Sequence, residues 1–331
     1  MTRVFVSGGS GFVGGHLIET LHARGDQVVA LARSDASAQR VSGFGAEPAR
    51  VRIDDTAALA AVMSGCDLVV HAAAVAAFEG DRELFHATNV LGTQSMLDAA
   101  RQAGVPRFVH VSSEQVLADG RAKHQVDESL PYPGRPFHIY AETKAEAERR
   151  VLSAAADGFA TVAVRPRWVW GTRDHVLPQL TAAANAKALV WMSGSRVSTS
   201  TCHVTNLCHA LLLAAERGRP GEAYFVGDDG DVGIREFVTA LLETQRVPAP
   251  TMSVPFPLAM ALSRLAGLLW KVLPGKPPLS PGDVIALGRE FTVNTAKARA
   301  DLGYEPVVSR AEGFAELARL TELAAAASTV S

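Results

Sequence analysis

Five glycines fall within VFVSGGSGFVGGH, Val4 to His16, between a run of β-prone residues and an apolar helical pattern. Gly8, Gly11 and Gly14 give the spacing G-x-x-G-x-x-G, and Gly9, Gly11 and Gly14 also satisfy G-x-G-x-x-G. Either spacing alone is a weak signal. Its position after a strand, opening a helix inside a β-α-β unit, gives it weight. There the missing side chains let backbone N–H groups approach a pyrophosphate at a helix N-terminus. The favoured ligand is a dinucleotide, against a glycine-rich turn that binds nothing.

The remainder of the first half repeats the same rhythm. Arg3 to Ser7, Gln27 to Ala32, Asp67 to Ala73, Phe108 to Ser112 and Thr161 to Arg165 read as strands. They lack polar/apolar alternation, as strands buried on both faces of a parallel sheet do. Phe12 to Arg24, Thr56 to Ser64, Leu84 to Ala103 and Tyr140 to Ala156 carry apolar residues at i, i+3, i+4 spacing and read as helices. The order predicts an α/β fold, a doubly wound parallel sheet of Rossmann type. After about Gly171 the rhythm breaks and prolines cluster. Residues 1–170 are therefore expected to form the dinucleotide-binding domain, with 200–228 returning to it. Residues 171–331 are expected to form mainly a smaller substrate-binding region.

A formal net charge of -2 gives no electrostatic case for nucleic acid or an anionic membrane. The first strand begins too early to leave room for a signal peptide. Three cysteines, Cys66, Cys202 and Cys208, form no disulfide framework and suit the cytoplasm. The apolar stretch Val254 to Pro274 is interrupted by Arg264 and Lys271, so it predicts a buried or interfacial helix and no transmembrane span. It is a candidate wall or lid of an apolar pocket. Cys202, His203, Cys208 and His209 match no usual ligand spacing, and no metal site is expected.

At the end of the second strand, where NAD-binding folds usually carry an acid for the ribose hydroxyls, stand Ala32 and Arg33. Arg33 and Ser34 can hold a 2'-phosphate, which favours NADP(H) over NAD(H). Asp35 is expected in the following loop. Tyr140 and Lys144 lie at i and i+4 on one helix face, where an ammonium favours the phenolate and lowers the tyrosine pKa. Ser112 and Ser113 end a strand of the parallel sheet, where ligands of such sheets sit.

With these three signals in order, the chain resembles the extended short-chain dehydrogenase/reductases along nearly its whole length. The resemblance runs through SGGSGFVGGHL, DLVVHAAA, TNVLGTQSMLDAAR, HVSSEQV, YAETKAEAE, VRPRWVWGTRD, HVTNLCHALLLA and ADLGYEP. It implies that Ser113 orients a substrate carbonyl, that Tyr140 is the general acid/base, and that Lys144 lowers its pKa and holds the nicotinamide ribose. Asn89 resembles the asparagine that supports a proton-relay water beside the lysine. The glycine loop, with Phe12 and Val13, would carry the pyrophosphate. His71, Ala72, Ala73 and Ala74 would line the adenosine site, and Ser112, Pro166 and Val169 would pass the nicotinamide. The resemblance also implies a homodimer through the helices Leu84 to Ala103 and Tyr140 to Ala156.

Two departures bear on ligands. VRIDDTAAL puts Arg52, followed by Ile53, where the family often has an acid that contacts adenine. RPRWVWG puts Trp168, with Trp170 close by, where sugar-nucleotide members commonly have asparagine. A bulky ring there suits an apolar substrate better than a sugar phosphate, and both tryptophans are candidate substrate residues. The C-terminal third looks most like the 3β-hydroxysteroid dehydrogenase branch, which also holds reductases of long-chain 3-oxo acids. These features imply an NADPH-dependent oxidoreductase of a bulky apolar 3-oxo or 3-hydroxy compound. The alternatives are a nucleotide-sugar epimerase or dehydratase, and a redox sensor that binds NADPH without turnover.

Overall fold

The computed structural model describes residues 1–269 and 279–328. Seven parallel strands form its central sheet: β1 (Arg3–Ser7), β2 (Gln27–Leu31), β3 (Glu47–Ala49), β4 (Leu68–His71), β5 (Arg107–Val111), β6 (Ala160–Pro166) and β7 (Glu222–Val226). Their spatial order is β3-β2-β1-β4-β5-β6-β7. The chain belongs to the doubly wound α/β class, and the order reverses between β1 and β4. Register is set by valines: Val6 lies opposite Val70, Val70 opposite Val109, and Val109 opposite Val162.

Alternate residues of each strand enter different buried layers, which explains the absence of a polar/apolar alternation along them. Val4, Val6, Val70 and Val109 pack with helices α1 (Phe12–Ala23) and α4 (Val204–Arg217) on one face. Phe5, Val69 and Phe108 pack with α2 (Gly92–Gln102) and with Val151 of α3 (Ile139–Ser153) on the other. A fully buried side chain of this kind contributes about 1.5 to 3 kcal/mol, so both faces are tightly specified. The helix read as Leu84 to Ala103 is composite. Arg82–Phe85 is α-helical, His86–Leu91 is a π-turn, and α2 follows.

Beyond β6 a smaller layer gathers around Trp191, Ile234, Val238, Leu242 and Val284. Helix Phe256–Leu269 turns Ala259 and Ser263 inward and leaves Leu258, Leu262, Leu265, Leu268 and Leu269 exposed. Residues 270–274 of the apolar stretch lie outside the described residues. Among the described residues no helix is long and apolar enough to cross a membrane, and no cluster has the composition of a metal site.

Candidate active site

The carboxyl ends of β1, β4, β5 and β6 open on one side of the sheet, and the glycine loop, Ala72–Ala74, Ser112–Ser113 and Trp168 follow them directly. At the point where the strand order reverses, two backbones come close. A Cβ on Gly8 would lie 2.7 Å from Ala72 C and Ala73 N, and Gly8 has φ +72°. A Cβ on Gly14 would lie 2.3 Å from the Gly8 carbonyl oxygen. Gly11 is the N-cap of α1 and offers no side-chain cap, so the first amides of α1, at Phe12 and Val13, are left for a ligand. This cradle fits the pyrophosphate of a dinucleotide.

A buried network fixes the floor of the cradle. Thr93 Oγ1 donates to the Asn89 carbonyl (2.6 Å), so it accepts from His71 Nε2 (2.9 Å). His71 Nδ1 is then an acceptor for the Ser7 hydroxyl (2.6 Å), which itself accepts from Ala73 N (3.2 Å). Burial and the charge of Lys144 push the His71 pKa down to about 3. The neutral tautomer is thus defined by its partners on both sides.

The expected adenosine contacts are distributed unevenly. Arg33 is exposed beyond β2, with no ion pair among the described residues. Ser34 forms a capping box with Ser37, and Asp35 opens the helix Asp35–Gly43 rather than lying in a loop; Asp35 pairs with Arg50. Arg52 is turned onto Asp54 by two hydrogen bonds of 2.8 and 2.6 Å, with its side chain exposed to solvent. Ile53 packs its side chain toward Gly92. Arg40, which sequence reasoning passed over, reaches the Ser10 carbonyl of the glycine loop at 3.2 Å.

Helix α3 carries the tyrosine and lysine. His138 caps it by accepting from Ala141 N (3.0 Å) and stacks on Tyr140 at an interplanar angle of 13°. Lys144 is buried and donates to the Val111 carbonyl (2.7 Å), with His110 Nε2 at 3.0 Å. Burial brings its pKa down to about 7, against the opposing attraction of Glu148. Asn89 sits in the π-turn, a feature common at functional sites. Its side chain is bonded to both backbone groups of Val75 (2.7 and 3.1 Å) and to Thr143 (3.1 Å).

One expectation about the tyrosine is corrected. Its pKa is raised, not lowered, because burial and the charge of Glu114 outweigh the easing contact with Ser113. Lys144 spends its hydrogen bonds on β5. Glu114, also missed from sequence, is buried beside the serine; it accepts from Ser113 Oγ (2.7 Å), Arg167 Nη1 (2.6 Å) and Gln115 Nε2 (2.7 Å). The adjacent letters in SSEQ and RPR were visible, but nothing in them showed that the two charges meet.

Pro166 ends β6, and Val169 begins a two-residue strand just beyond it. Trp168 between them has φ +39°, an outlier for a bulky residue, and packs edge-on to Phe237 at 5.4 Å. Its buried Nε1 has no partner among the described residues, nor does the Ser112 hydroxyl. Trp170 lies elsewhere: it is fully buried and donates to Asp228 (2.7 Å), which makes it a core residue with no face for a substrate. A cavity of about 30 Å³ adjoins His138, lined by Phe78, Phe137, Ile285, Ala286 and Arg289.

Residues 4–227 match the NAD dependent epimerase/dehydratase family. The chain belongs to this family. It is 48% identical over 315 residues, covering 94% of each chain, to a 4-hydroxy-2-methyl-3-oxo-4-farnesyl-3,4-dihydroquinoline-1-oxide ketoreductase of Stigmatella aurantiaca. A 2-alkyl-3-oxoalkanoate reductase of Stenotrophomonas maltophilia is 34% identical, with 95% of this chain and 98% of that one covered. Among solved structures, a dTDP-glucose 4,6-dehydratase of Streptomyces venezuelae superimposes with a TM-score of 0.75 at 25% identity, covering 97% of each chain. The epimerase/dehydratase protein is an NAD(P)-dependent oxidoreductase of the short-chain dehydrogenase/reductase kind, as its family and its reductase and dehydrogenase relatives show.

Proposed function

We propose that the protein is an NADPH-dependent reductase of bulky apolar 3-oxo compounds, reversible as a 3-hydroxy dehydrogenase. The observation that carries this reading is Ser113 just after β5 together with Tyr140 and Lys144 of α3, Lys144 bonded to the Val111 carbonyl at the end of β5, with the neighbouring Gln115 and His138 lining a cavity walled by Phe78, Phe137, Ile285 and Ala286. The reductase relatives, named for a farnesylated 3-oxo quinoline oxide and for 2-alkyl-3-oxoalkanoates, support it. NADPH, when bound, supplies the hydride. The glycine loop holds its pyrophosphate, and Ala73 and Ala74 follow β4 beside the loop. Tyr140, protonated because its pKa is raised, gives its phenolic proton to the carbonyl oxygen, and Ser113 orients that oxygen. Lys144, with a pKa of about 7, holds or releases a proton one helical turn away.

A cavity of about 30 Å³ admits little more than one water. A terpenoid or sterol-sized ketone must therefore displace side chains such as Phe78, against which Gly282 packs closely. Trp168, with its strained backbone and an N–H unpartnered among the described residues, is the candidate substrate contact at the carboxyl end of the neighbouring strand, β6. Screening NADPH oxidation with 2-alkyl-3-oxo acids, cyclic ketones bearing long apolar chains, and UDP- or dTDP-sugars tests the class. Turnover of the apolar ketones alone is expected; turnover confined to nucleotide sugars would replace this reading by that of an epimerase or dehydratase.

The NADPH preference rests on Ala32, which supplies no carboxylate, and on exposed Arg33 beside it. A hydrogen bond to a charged group is worth about 1.5 to 3 kcal/mol, a preference of roughly 10- to 100-fold over NADH. Ala32→Asp with Arg33→Asn is expected to reverse it, measured as dissociation constants for both nucleotides. Equal wild-type affinity for NADH would leave Arg33 a solvated surface residue. Exposed Leu84 and Leu91 on the helical segment 82–102 support a homodimer through that face, which sedimentation of wild type and a Leu84→Glu/Leu91→Glu variant checks.

A further inference from the structure

Among the described residues, Lys144 Nζ has two hydrogen-bond partners, and both belong to β5: the Val111 carbonyl (2.7 Å) and Nε2 of His110 (3.0 Å). His110 and Lys144 are 1% and 2% exposed, so solvent offers neither an alternative partner. His110 stands in the middle of the sheet, opposite His71 of β4 and Ala163 of β6, and its place is fixed from both sides.

The count of protons sets the direction of this contact. An ammonium has three N–H donors and no lone pair, whereas a neutral imidazole has one donor and one acceptor nitrogen. Burial and the charge of Lys144 hold the His110 pKa well below its ordinary value, so the ring is neutral. Facing the ammonium, Nε2 must accept, and the ring proton must sit on Nδ1. The other tautomer would aim an N–H at the ammonium and lose the contact. Nδ1 is buried with no partner among the described residues. The His71 ring, 5.2 Å away at 32°, offers it none, because both His71 nitrogens are bonded to Ser7 and Thr93. A buried donor left unpaired is costly, and the bond to Lys144 is what offsets it.

We propose that His110 is a positioning residue for Lys144: as the Nδ1-protonated tautomer it accepts from the ammonium and, with the Val111 carbonyl, ties Lys144 to the end of β5. Two of the three N–H groups are thereby used, and one remains to act at the site. The inference rests on the reading above only for what that remaining N–H does, which is to hold the nicotinamide ribose.

The other charged groups around Lys144 are already engaged. Glu148, one turn later on α3, is held by Arg165 of β6 at 2.6 to 3.1 Å, and Tyr140 lies one turn earlier. From β4, His71 is neutral, with a pKa of about 3. Glu114, in the turn after β5, is held by Arg167 (2.6 Å). On the helical segment 82–91, Arg82 pairs with Glu142 and His86 is exposed. Helix α2 contributes Gln94, bonded to Asp98 (3.0 Å) and to Arg150 of α3 (3.2 Å). A hydrogen bond to the charged form of a group favours that form. The imidazole therefore supports the ammonium against the burial that brings its pKa to about 7.

The tautomer is read on the unmodified protein. With 15N-labelled histidine near pH 6, where Lys144 is charged, the ring shifts are expected to place the His110 proton on Nδ1 and the His71 proton on Nε2. Lysine labelled at Cε then gives the titration of Lys144, assigned by Lys144→Met among the six lysines. His110→Leu, which keeps the bulk but offers no acceptor, is expected to lower the Lys144 pKa by about one pH unit. His110→Gln, whose Oε1 can accept, is expected to stay within about half a unit of wild type. A histidine that only fills space predicts the reverse, because a loosened site admits water to the ammonium and raises its pKa in both variants. The pH at which NADP+ affinity falls, as Lys144 loses its proton, should move down in His110→Leu by the same amount. A His110 proton on Nε2, an unmoved or raised Lys144 pKa in His110→Leu, or an equal fall in His110→Gln overturns the inference. If His110→Leu does not fold, the wild-type tautomer decides alone. Wild-type nucleotide affinity and turnover in Lys144→Met instead overturn the role read for Lys144 and leave its bond to His110 standing.

Discussion

Tyr140→Phe is expected to lower ketone turnover by at least about 10²-fold while nucleotide affinity stays at the wild-type level. The substitution removes one oxygen from a half-buried ring and leaves the stacking on His138 available. The glycine cradle lies at the end of β1, on a different strand, and has no reason to change. The raised tyrosine pKa makes the hydroxyl a loaded acid near neutral pH. Its removal therefore takes away the proton the carbonyl oxygen must receive, and water is a poor substitute in a buried site. Steady-state rates beside calorimetric nucleotide titrations check both halves. Near wild-type turnover in the variant shows that another group supplies the proton.

Gly14→Ala carries the second large effect, on nucleotide binding. In a helix interior, alanine is favoured over glycine by about 1 kcal/mol, so propensity alone predicts a gain. Sterics oppose it. The new methyl would sit 2.3 Å from the Gly8 carbonyl oxygen, 2.7 Å from Gly8 C and 2.8 Å from Gly9 Cα, all of them backbone atoms of the loop. Carbon contacts are relaxed at about 3.5 to 4.0 Å, so the loop has to move. Overpacking of this kind costs about 1 to 3 kcal/mol, and it falls on the segment that cradles the pyrophosphate. The expected result is a dissociation constant for NADPH raised by roughly 10- to 100-fold. Gly43→Ala is the control, since a Cβ there meets nothing within 4 Å and Gly43 also ends a helix. Wild-type affinity in Gly14→Ala would place the phosphates away from the loop.

The sheet was legible in the sequence because its strands are buried on both faces, so that successive residues such as Phe108 and Val109 are both apolar and no alternation appears. Tyr140 and Lys144 were legible as a pair because a helix period brings residues four apart together. What the tyrosine's surroundings do to it was not legible. Glu114 and Arg167 are 53 positions apart and meet only because β5 and β6 are neighbours in the sheet. His110, on β5, reaches Lys144 on α3 across a similar crossover. Trp170 reads like Trp168 along the chain, yet its partner Asp228 lies just past β7, which decides that it is core. Helix Asp35–Gly43 escaped notice because its mean composition is polar and only Val41 is buried. The π-turn at His86–Leu91 leaves no mark on apolar spacing, although it presents Asn89 to Val75 and Thr143.

The central claim is that this site moves a hydride onto an apolar ketone while Tyr140 protonates its oxygen. NADPH carrying deuterium at the transferable C4 position, incubated with wild-type protein and a 2-alkyl-3-oxo acid or a farnesylated cyclic ketone, tests it in one mass measurement of the alcohol formed. The account predicts one deuterium, bound to the carbinol carbon. Nucleotide consumed without deuterium in the alcohol, or label recovered only in a nucleotide sugar offered alongside, contradicts it.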